Sequence, residues 1–324
     1  MRFANIMAGA AQGGAEGFFE RITLALHRAG EEVLPVIRRD DERAARLAAG
    51  GLAPVQLGFG GPLDLLTRPR LARTLRGFAP AVAMAWMNRA ARHAPRGPYA
   101  LVGRLGGYYD LRYYQRCDHL AANTQDLVRW IVAQGWPAER VHHLPNFAED
   151  LAGAAPAELP GVAPRLLAMG RLHRNKGFDT LIRALPLLPG ATLVIAGEGP
   201  ERTALQALAR ECGVAHRTYL PGWRRDTGAL LAAADLFVCS SRHEPLGNIV
   251  LEAWSAARPV VAVAAQGPSE LIRDGITGLL VPPEAPEALA AAGRAEFAAR
   301  FAEAPVVSAW RDFLHKLAAM KEPR

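Results

Sequence analysis

Short apolar runs recur along the chain, separated by longer stretches whose apolar positions fall three and four residues apart. Runs of strand type lie at Phe3 to Met7, Glu32 to Ile37, Pro54 to Leu57, Ala81 to Ala85, Ala100 to Arg104, His119 to Asn123 and Val141 to Leu144. Helix-compatible segments such as Phe18 to Ala29 fill the intervals. Alternation of this kind predicts an α/β fold, a parallel sheet covered by helices on both faces. The pattern stops at Ala148 to Pro164, where Gly153, Pro156, Pro160, Gly161 and Pro164 give the composition of a linker. It resumes at Leu166 and continues through Thr192 to Ala196, Thr218 to Leu220, Leu236 to Ser240, Val260 to Ala264 and Gly278 to Val281. Two doubly wound, Rossmann-like domains are therefore expected, over residues 1–150 and 151–305. Ligands of such sheets gather at the carboxyl ends of the strands, so two facing domains would share a cleft.

Composition narrows the class. A chain of 324 residues exceeds what one core usually covers, and 50% apolar residues suffice for two buried sheets. Cys117, Cys212 and Cys239 are an odd, unpatterned set without the close pairs that bind zinc or run redox chemistry. No metal is indicated, and reduced thiols suit a cytoplasmic protein. Met1 to Met7 is too short for a secretory apolar core, and no apolar run reaches spanning length. A nicotinamide site is disfavoured, because no G-x-G-x-x-G opens either domain and Gly197-Glu198-Gly199-Pro200 lacks the third glycine.

Three loops carry candidate chemistry. In Glu244-Pro245-Leu246-Gly247-Asn248-Ile249-Val250-Leu251-Glu252, two carboxylates flank a turn and the start of a helix that follows the apolar run Asp235 to Ser240. Free N–H groups near Gly247, Asn248 and Ile249, with the positive end of the helix dipole, favour an anion such as a diphosphate. Glu252 shares a helix face with Asn248 and suits vicinal hydroxyls such as those of a ribose, while Glu244 would face whatever lies beyond the phosphate. The plainer reading is a solvated loop carboxylate and an exposed helix carboxylate. In Gly170-Arg171-Leu172-His173-Arg174-Asn175-Lys176-Gly177, Arg171 and Lys176 could clamp a diphosphate, or they could belong to a solvated basic loop. Gly13-Gly14-Ala15-Glu16 sits at a strand-to-helix turn where a missing side chain lets backbone approach a phosphate.

The order of these pieces, with Ile195-Ala196-Gly197-Glu198-Gly199-Pro200, Pro259-Val260-Val261 and Ser269 to Pro282, resembles the retaining glycosyltransferases of the GT-B fold, specifically family 4, over nearly the whole chain. That resemblance implies catalytic roles for Glu244, Arg171 and Lys176, with Arg171 and Lys176 on the donor diphosphate and Glu244 on the transferred sugar. It places the ribose on Glu252 and the phosphates also near Gly14, Gly247, Asn248 and Ile249. The nucleobase falls near Trp223 and Arg224, although Trp223 reads equally as a core anchor. It further implies a nucleoside diphosphate sugar as co-substrate, a UDP-sugar first, with no cofactor and no metal. The acceptor would be a glycan or glycolipid, since bacterial members often build lipopolysaccharide or other surface glycans, and a C-terminal helix at 306–324 would pack back on the first domain. Many members carry a histidine where the fifth strand ends, yet this chain reads Val102-Gly103-Arg104-Leu105-Gly106-Gly107-Tyr108-Tyr109-Asp110. Glu16, Arg104, Tyr109 and Asp110 are the acceptor-side candidates there, beside the alternative of a Gly-Gly loop with aromatic packing. His119, His142 and His143 read as structural or surface residues. A sugar-nucleotide epimerase and a non-catalytic sugar-nucleotide binder share the same architecture and stay open.

Charge bears on the acceptor. Up to Asp150 there are 19 arginines against 14 acids, a net +5, which leaves +2 of the total +7 for the rest. Arg68, Arg70, Arg73 and Arg76 alternate with Leu65, Leu66, Leu71 and Leu75. This is either a plainly solvated helix or a basic amphipathic surface that meets anionic lipid headgroups at the inner face of a membrane. Nucleic acid is a poorer partner, since no reading motif accompanies the arginines.

Overall fold

The structure, a computed structural model, describes residues 1–11, 13–60 and 64–292. It divides into two compact units, Met1–Phe147 and a second that starts at Ala148. Among the described residues the first unit holds seven parallel strands: β1 (Arg2–Met7), β2 (Glu32–Arg38), β3 (Val55–Leu57), β4 (Val82–Trp86), β5 (Ala100–Leu105), β6 (His119–Ala122) and β7 (Val141–His143). Their order is β3-β2-β1-β4-β5-β6-β7, with Met7 beside Ile37 on one side and Trp86 on the other. Helices α1 (Gly14–Arg28), α2 (Asp41–Ala49), α3 (Thr67–Phe78), α4 (Met87–His93) and α5 (Gln125–Ala133) connect them. The second unit has six parallel strands in the order β10-β9-β8-β11-β12-β13. They are β8 (Arg165–Met169), β9 (Thr192–Ala196), β10 (Thr218–Gly222), β11 (Leu236–Cys239), β12 (Val260–Val263) and β13 (Leu279–Val281). Its helices are α6 (Phe178–Ala184), α7 (Arg202–Glu211), α8 (Thr227–Ala233), α9 (Asn248–Ser255) and α10 (Gln266–Leu271). These are two Rossmann-like sheets of the expected α/β class.

The central strands read as unbroken apolar runs because helices cover both faces: every residue of β9, β11 and β12 is buried. Two of the helices start at side-chain caps. Asp40 accepts the N–H of Arg43 at 3.0 Å to cap α2, and Thr124 accepts that of Leu127 at 3.1 Å to cap α5. On one face of the first sheet, Phe18 and Phe19 of α1 pack against Trp86, with ring centroids 6.0 and 5.6 Å apart. Asn5, buried in β1, fixes that indole: it accepts from Trp86 Nε1 at 2.6 Å and donates to Thr23 Oγ1 at 2.8 Å.

The stretch Ala148 to Pro164 forms neither helix nor strand, yet it is not a free linker. The Leu151 N–H donates to Ser255 Oγ at 2.8 Å and the Ala157 N–H to the Ala229 carbonyl at 2.9 Å. Leu151, Ala157 and Leu159 pack on the core built around Leu167, Phe237 and Val250. Its apolar side chains fasten this strap to the second unit. The helix expected at 306–324 lies outside the described residues. Among those described, no helix is long and apolar enough to cross a membrane.

Candidate functional site

In each sheet the winding direction reverses once, between β1 and β4 in the first and between β8 and β11 in the second. Loops leaving such a strand pair diverge and open a crevice at their carboxyl ends. Lys176 lies in the loop after β8 and Glu244 in the loop after β11, so the reversal brings together two residues far apart in sequence. The Lys176 ammonium donates to Glu244 Oε2, and the Ser241 hydroxyl donates to the same oxygen at 3.3 Å. The side chains are 27% and 13% exposed, so the pair is largely withdrawn from water. Burial pulls the Lys176 pKa down, but the charge and hydrogen bond of Glu244 outweigh it and the net shift is upward. The neighbouring Cys239 thiol is pushed up to about 11 by burial and then by the Glu244 charge, which keeps it neutral.

Close backbone contacts set the position of the Lys176 loop. Gly177 has φ of 63° and its missing β-carbon would lie 2.1 Å from the Ser240 carbonyl oxygen, so only glycine fits. Ser240 Oγ donates to the Lys176 carbonyl at 2.9 Å. Arg242 completes the clamp: it donates to Asp179 with both terminal nitrogens at 2.6 and 2.8 Å and to the Arg174 carbonyl at 3.0 Å. On the other side, β-carbons at Gly197 and Gly199 would lie 1.8 Å from the Gly170 carbonyl oxygen and 2.3 Å from that of Leu172. The Leu172 N–H donates to the Glu198 carbonyl at 2.9 Å. The Gly197-Glu198-Gly199-Pro200 turn is thus a backbone platform for the Gly170–Leu172 loop.

The turn after Glu244 is equally constrained. Gly247 has φ of 88° and precedes α9, whose amino end has no side-chain cap. Gly267 of α10 approaches so closely that a β-carbon would lie 2.2 Å from the Leu246 carbonyl oxygen, and its N–H donates to the Glu244 carbonyl at 2.8 Å. Lys176, Glu244 and the amino end of α9, with Asn248 and Ile249 in its first turn and Glu252 one turn on, therefore form one cluster of donors and carboxylates. Arg171, on the Lys176 loop, is exposed and makes no ion pair or hydrogen bond among the described residues. Trp223, 42% exposed, follows the edge strand β10, and beside it Arg224 donates to Asp226 at 2.8 and 2.5 Å.

In the first unit the corresponding turn, Gly13 and Gly14, opens α1. Glu16 folds back beneath it, 7% exposed, accepting from the Ala10 N–H at 2.8 Å. β-Carbons at Gly9 and Gly13 would lie 2.3 and 2.2 Å from its carboxylate oxygens, so the folded-back carboxylate occupies the space beside both glycines. Sequence reasoning missed Arg43. Fully buried on α2, it donates from Nη2 to the carbonyls of Ala10 and Ala11 at 2.9 and 3.0 Å, and it pairs with Glu20 at 2.9 Å and Asp40 at 3.0 Å. It anchors the glycine turn from below, and nothing in its local sequence separates it from Arg46, the other arginine of α2. Arg242 was missed for the same reason.

Of the other first-unit candidates, Arg104 is buried: it donates to the Leu144 carbonyl and Asn146 Oδ1, both at 2.8 Å, and lies 5.5 Å over the Trp86 ring. Burial lowers its pKa to about 10. Asp110 is exposed, accepting the Arg112 N–H at 3.0 Å and pairing with its side chain at 2.7 Å. Tyr109 is half-buried, with a hydroxyl pKa raised by burial and by the Glu16 charge. His119 and His142 hydrogen-bond each other at 3.1 Å across β6 and β7, and His143 meets the Asn123 carbonyl at 3.3 Å.

Residues 163–295 match the family described as Glycosyl transferases group 1. The chain is 37% identical over 282 residues to the lipopolysaccharide core biosynthesis glycosyltransferase LpsE of Rhizobium meliloti, a match covering 83% of this chain and 81% of that one. It is 33% identical to LpsD of the same organism, over 94% of this chain and 96% of the relative. Among solved structures, Anabaena Alr3699/HepE in complex with UDP superposes with a TM-score of 0.77 at 20% identity, covering 98% of this chain and 100% of that one.

Proposed function

We infer that this chain, which belongs to the group 1 glycosyl transferases and has the GT-B fold, moves a sugar from a nucleoside diphosphate to a hydroxyl of a growing lipopolysaccharide core, with retention at the anomeric carbon. The observation that carries this reading is the Lys176–Glu244 pair beside the uncapped start of α9. A helix start of that kind attracts an anion, and an ammonium with three donors can hold Glu244 and a phosphate oxygen together.

As the bond from the anomeric carbon to phosphate breaks, negative charge grows on the diphosphate and positive charge on the sugar. Lys176, Arg171 and the N–H groups at Asn248 and Ile249 offset the first, while Glu244 holds the sugar where the second develops. The leaving phosphate accepts the proton of the attacking hydroxyl. Glu252 takes the ribose hydroxyls, Trp223 with Arg224 the base, and Gly14 a phosphate. In the first unit, Glu16, Arg104, Tyr109 and Asp110 stand on the acceptor side. These fixed positive charges do the work a divalent ion would do, so we expect turnover to persist in a chelator, with no cofactor. The acceptor class follows the two Rhizobium relatives, which match over 83% and 94% of this chain. UDP is the first donor to test, as the nucleotide held by the Anabaena protein of the same fold. The free state of Cys117, Cys212 and Cys239 suits the cytoplasm.

The test supplies UDP, GDP, ADP and CMP sugars with and without a core oligosaccharide. One nucleotide should raise the melting temperature, and its diphosphate should be released only when acceptor is present, with retained anomeric configuration by NMR. Conversion of the donor sugar without acceptor would mark an epimerase, and donor binding without turnover a non-catalytic binder.

A further inference from the structure

Two buried polar side chains at the carboxyl end of the first sheet lack the partners their chemistry asks for. Arg104 stands opposite Ala121 in the parallel register of β5 and β6, and Asn123 follows two residues later. Side chains two apart on a strand share a face, so Arg104 and Asn123 lie on one face of the sheet, about 8 Å apart at the backbone. Arg104 is 3% exposed, yet all its hydrogen bonds go to neutral acceptors. Nη2 donates to the Leu144 carbonyl and Asn146 Oδ1, and Nη1 reaches only the Leu105 carbonyl, at 3.4 Å. Nε has no partner among the described residues. Burial alone lowers the pKa of this guanidinium, with no carboxylate contributing, whereas the Glu16 charge acts on Tyr109 nearby in the sequence. Asn123 is 6% exposed, and its Oδ1 is buried without a hydrogen bond. In the loop after β5, a β-carbon at Gly106 would meet only the Asn123 amide, at 4.0 Å, and the φ of Gly106 is not left-handed. Glycine there leaves open space beside Asn123 and relieves no strain.

We propose that this face of the first unit selects an acidic sugar in the acceptor, its carboxylate or phosphate meeting the Arg104 guanidinium and a hydroxyl of the same sugar donating to Asn123 Oδ1. This assignment rests on the first unit being the acceptor side. A buried charge is costly unless a counter-charge accompanies it. A neutral amide could serve the Leu144 carbonyl and Asn146 without that cost, whereas a guanidinium adds a charged fork that suits carboxylate and phosphate oxygens. The buried amide oxygen of Asn123 is likewise unfavourable until a donor reaches it. An anionic group and a hydroxyl on one sugar ring complete both residues together, and a neutral sugar completes only Asn123.

The experiment has a binding arm and a transfer arm, both on the full chain. In the first, ligand-observed NMR titrations compare glucuronate, a glucose phosphate and glucose. Wild type should prefer one of the acidic sugars to glucose by about tenfold or more, the range of a hydrogen bond to a charged group, and the preferred one tells carboxylate from phosphate. R104Q should lose that preference. In the second, KM and kcat are measured with a core oligosaccharide before and after its carboxyl groups are reduced and its phosphates removed. Neutralising the oligosaccharide should raise the wild-type KM by a similar factor with less effect on kcat, and R104Q should use both forms with the same raised KM. An arginine that only tethered the Leu144 segment would raise KM for both forms alike and leave the preference for the acidic one. Asn123→Ala removes an amide oxygen that has no partner in the fold, so it should keep the unfolding midpoint while weakening binding of the preferred sugar. Equal binding of the three sugars by wild type, or one KM for intact and neutralised oligosaccharide, would overturn the assignment and leave the transferase reading standing. Absence of transfer to every acceptor would strike that reading, and the sugar titrations would still decide this one.

Discussion

Gly177 and Ser240 meet so closely that a β-carbon on the first would lie 2.1 Å from the carbonyl oxygen of the second. The loop that carries Lys176 is therefore seated on the end of β11, the strand that leads to Glu244, and the seat exists only while residue 177 has no side chain. Gly177→Ala meets this clash and a φ of 63° together. It should cost about 1–3 kcal/mol of stability and displace Lys176 from Glu244. Denaturant unfolding and steady-state kinetics check both effects, and a variant with unchanged stability and turnover would remove this contact from the account.

Lys176→Ala and Glu244→Gln each delete one half of the pair. Loss of a preorganised charge-stabilising group costs about 3–4 kcal/mol in the transition state, so each variant should lose at least about a hundredfold in turnover. Since the two side chains share one hydrogen bond, the double variant should lose much less than the product of the single losses. Near-normal rates in both singles, with circular dichroism unchanged, would separate the pair from catalysis.

Much of the fold was legible because strands buried on both faces leave apolar runs in the sequence. Thr192 to Ala196 forms a strand at those bounds, and the other runs shift by a residue or two where a terminal residue joins or leaves the ladder. The glycines were legible as turns, but not as contact points: that Gly197 and Gly199 bear the Gly170–Leu172 loop depends on tertiary approach. Lys176 and Glu244 were read as ligands of two separate groups, and nothing in a spacing of 68 residues shows that they bond each other. Arg43 and Arg242 were invisible for the same reason. Local composition marks a helix or a loop as polar, whereas only the folded chain shows that a particular arginine reaches distant carbonyls and carboxylates.

The ion pair also fixes a pH dependence. Lys176 has a folded-state pKa above that of free lysine, so the stability it contributes is fully present below the ordinary lysine value and is lost as pH rises through the higher folded one. The difference in unfolding free energy between wild type and Lys176→Met should thus be flat between about pH 6 and 9 and shrink only in strongly alkaline solution. A difference that already declines in the neutral range would show that the ammonium is not held by Glu244.

Thiol reactivity offers an independent probe of burial at the site. Burial pushes Cys117 up to about 12 and Cys239 to about 11, so neither forms thiolate near neutrality, while Cys212 is only partly covered. An aromatic disulfide reagent should titrate one thiol per native chain and three in denaturant, with peptide mapping placing the fast label on Cys212. Rapid labelling of Cys239 in the native protein would contradict a closed packing beneath Lys176 and Glu244.

Arg43 shows how the first unit keeps its glycine turn in place. Its guanidinium meets Glu20, Asp40 and the carbonyls of Ala10 and Ala11, with no exposure to solvent beyond 1%. Arg43→Ala removes the guanidinium from the Ala10 and Ala11 carbonyls and from both ion pairs, although Arg46 still donates to Glu20 and the backbone N–H of residue 43 still caps α2 through Asp40. Breaking a buried pair from one side costs about 3–5 kcal/mol, so the midpoint of urea unfolding should fall clearly. Arg43→Lys keeps the charge but replaces a planar fork by a point donor, and it should recover only part of the loss. If Gly14 binds a phosphate, Arg43→Lys should also raise KM for the donor more than it lowers kcat, because the turn is loosened while Lys176 and Glu244 are untouched. Wild-type stability in Arg43→Ala would mean that the turn holds its shape without the arginine.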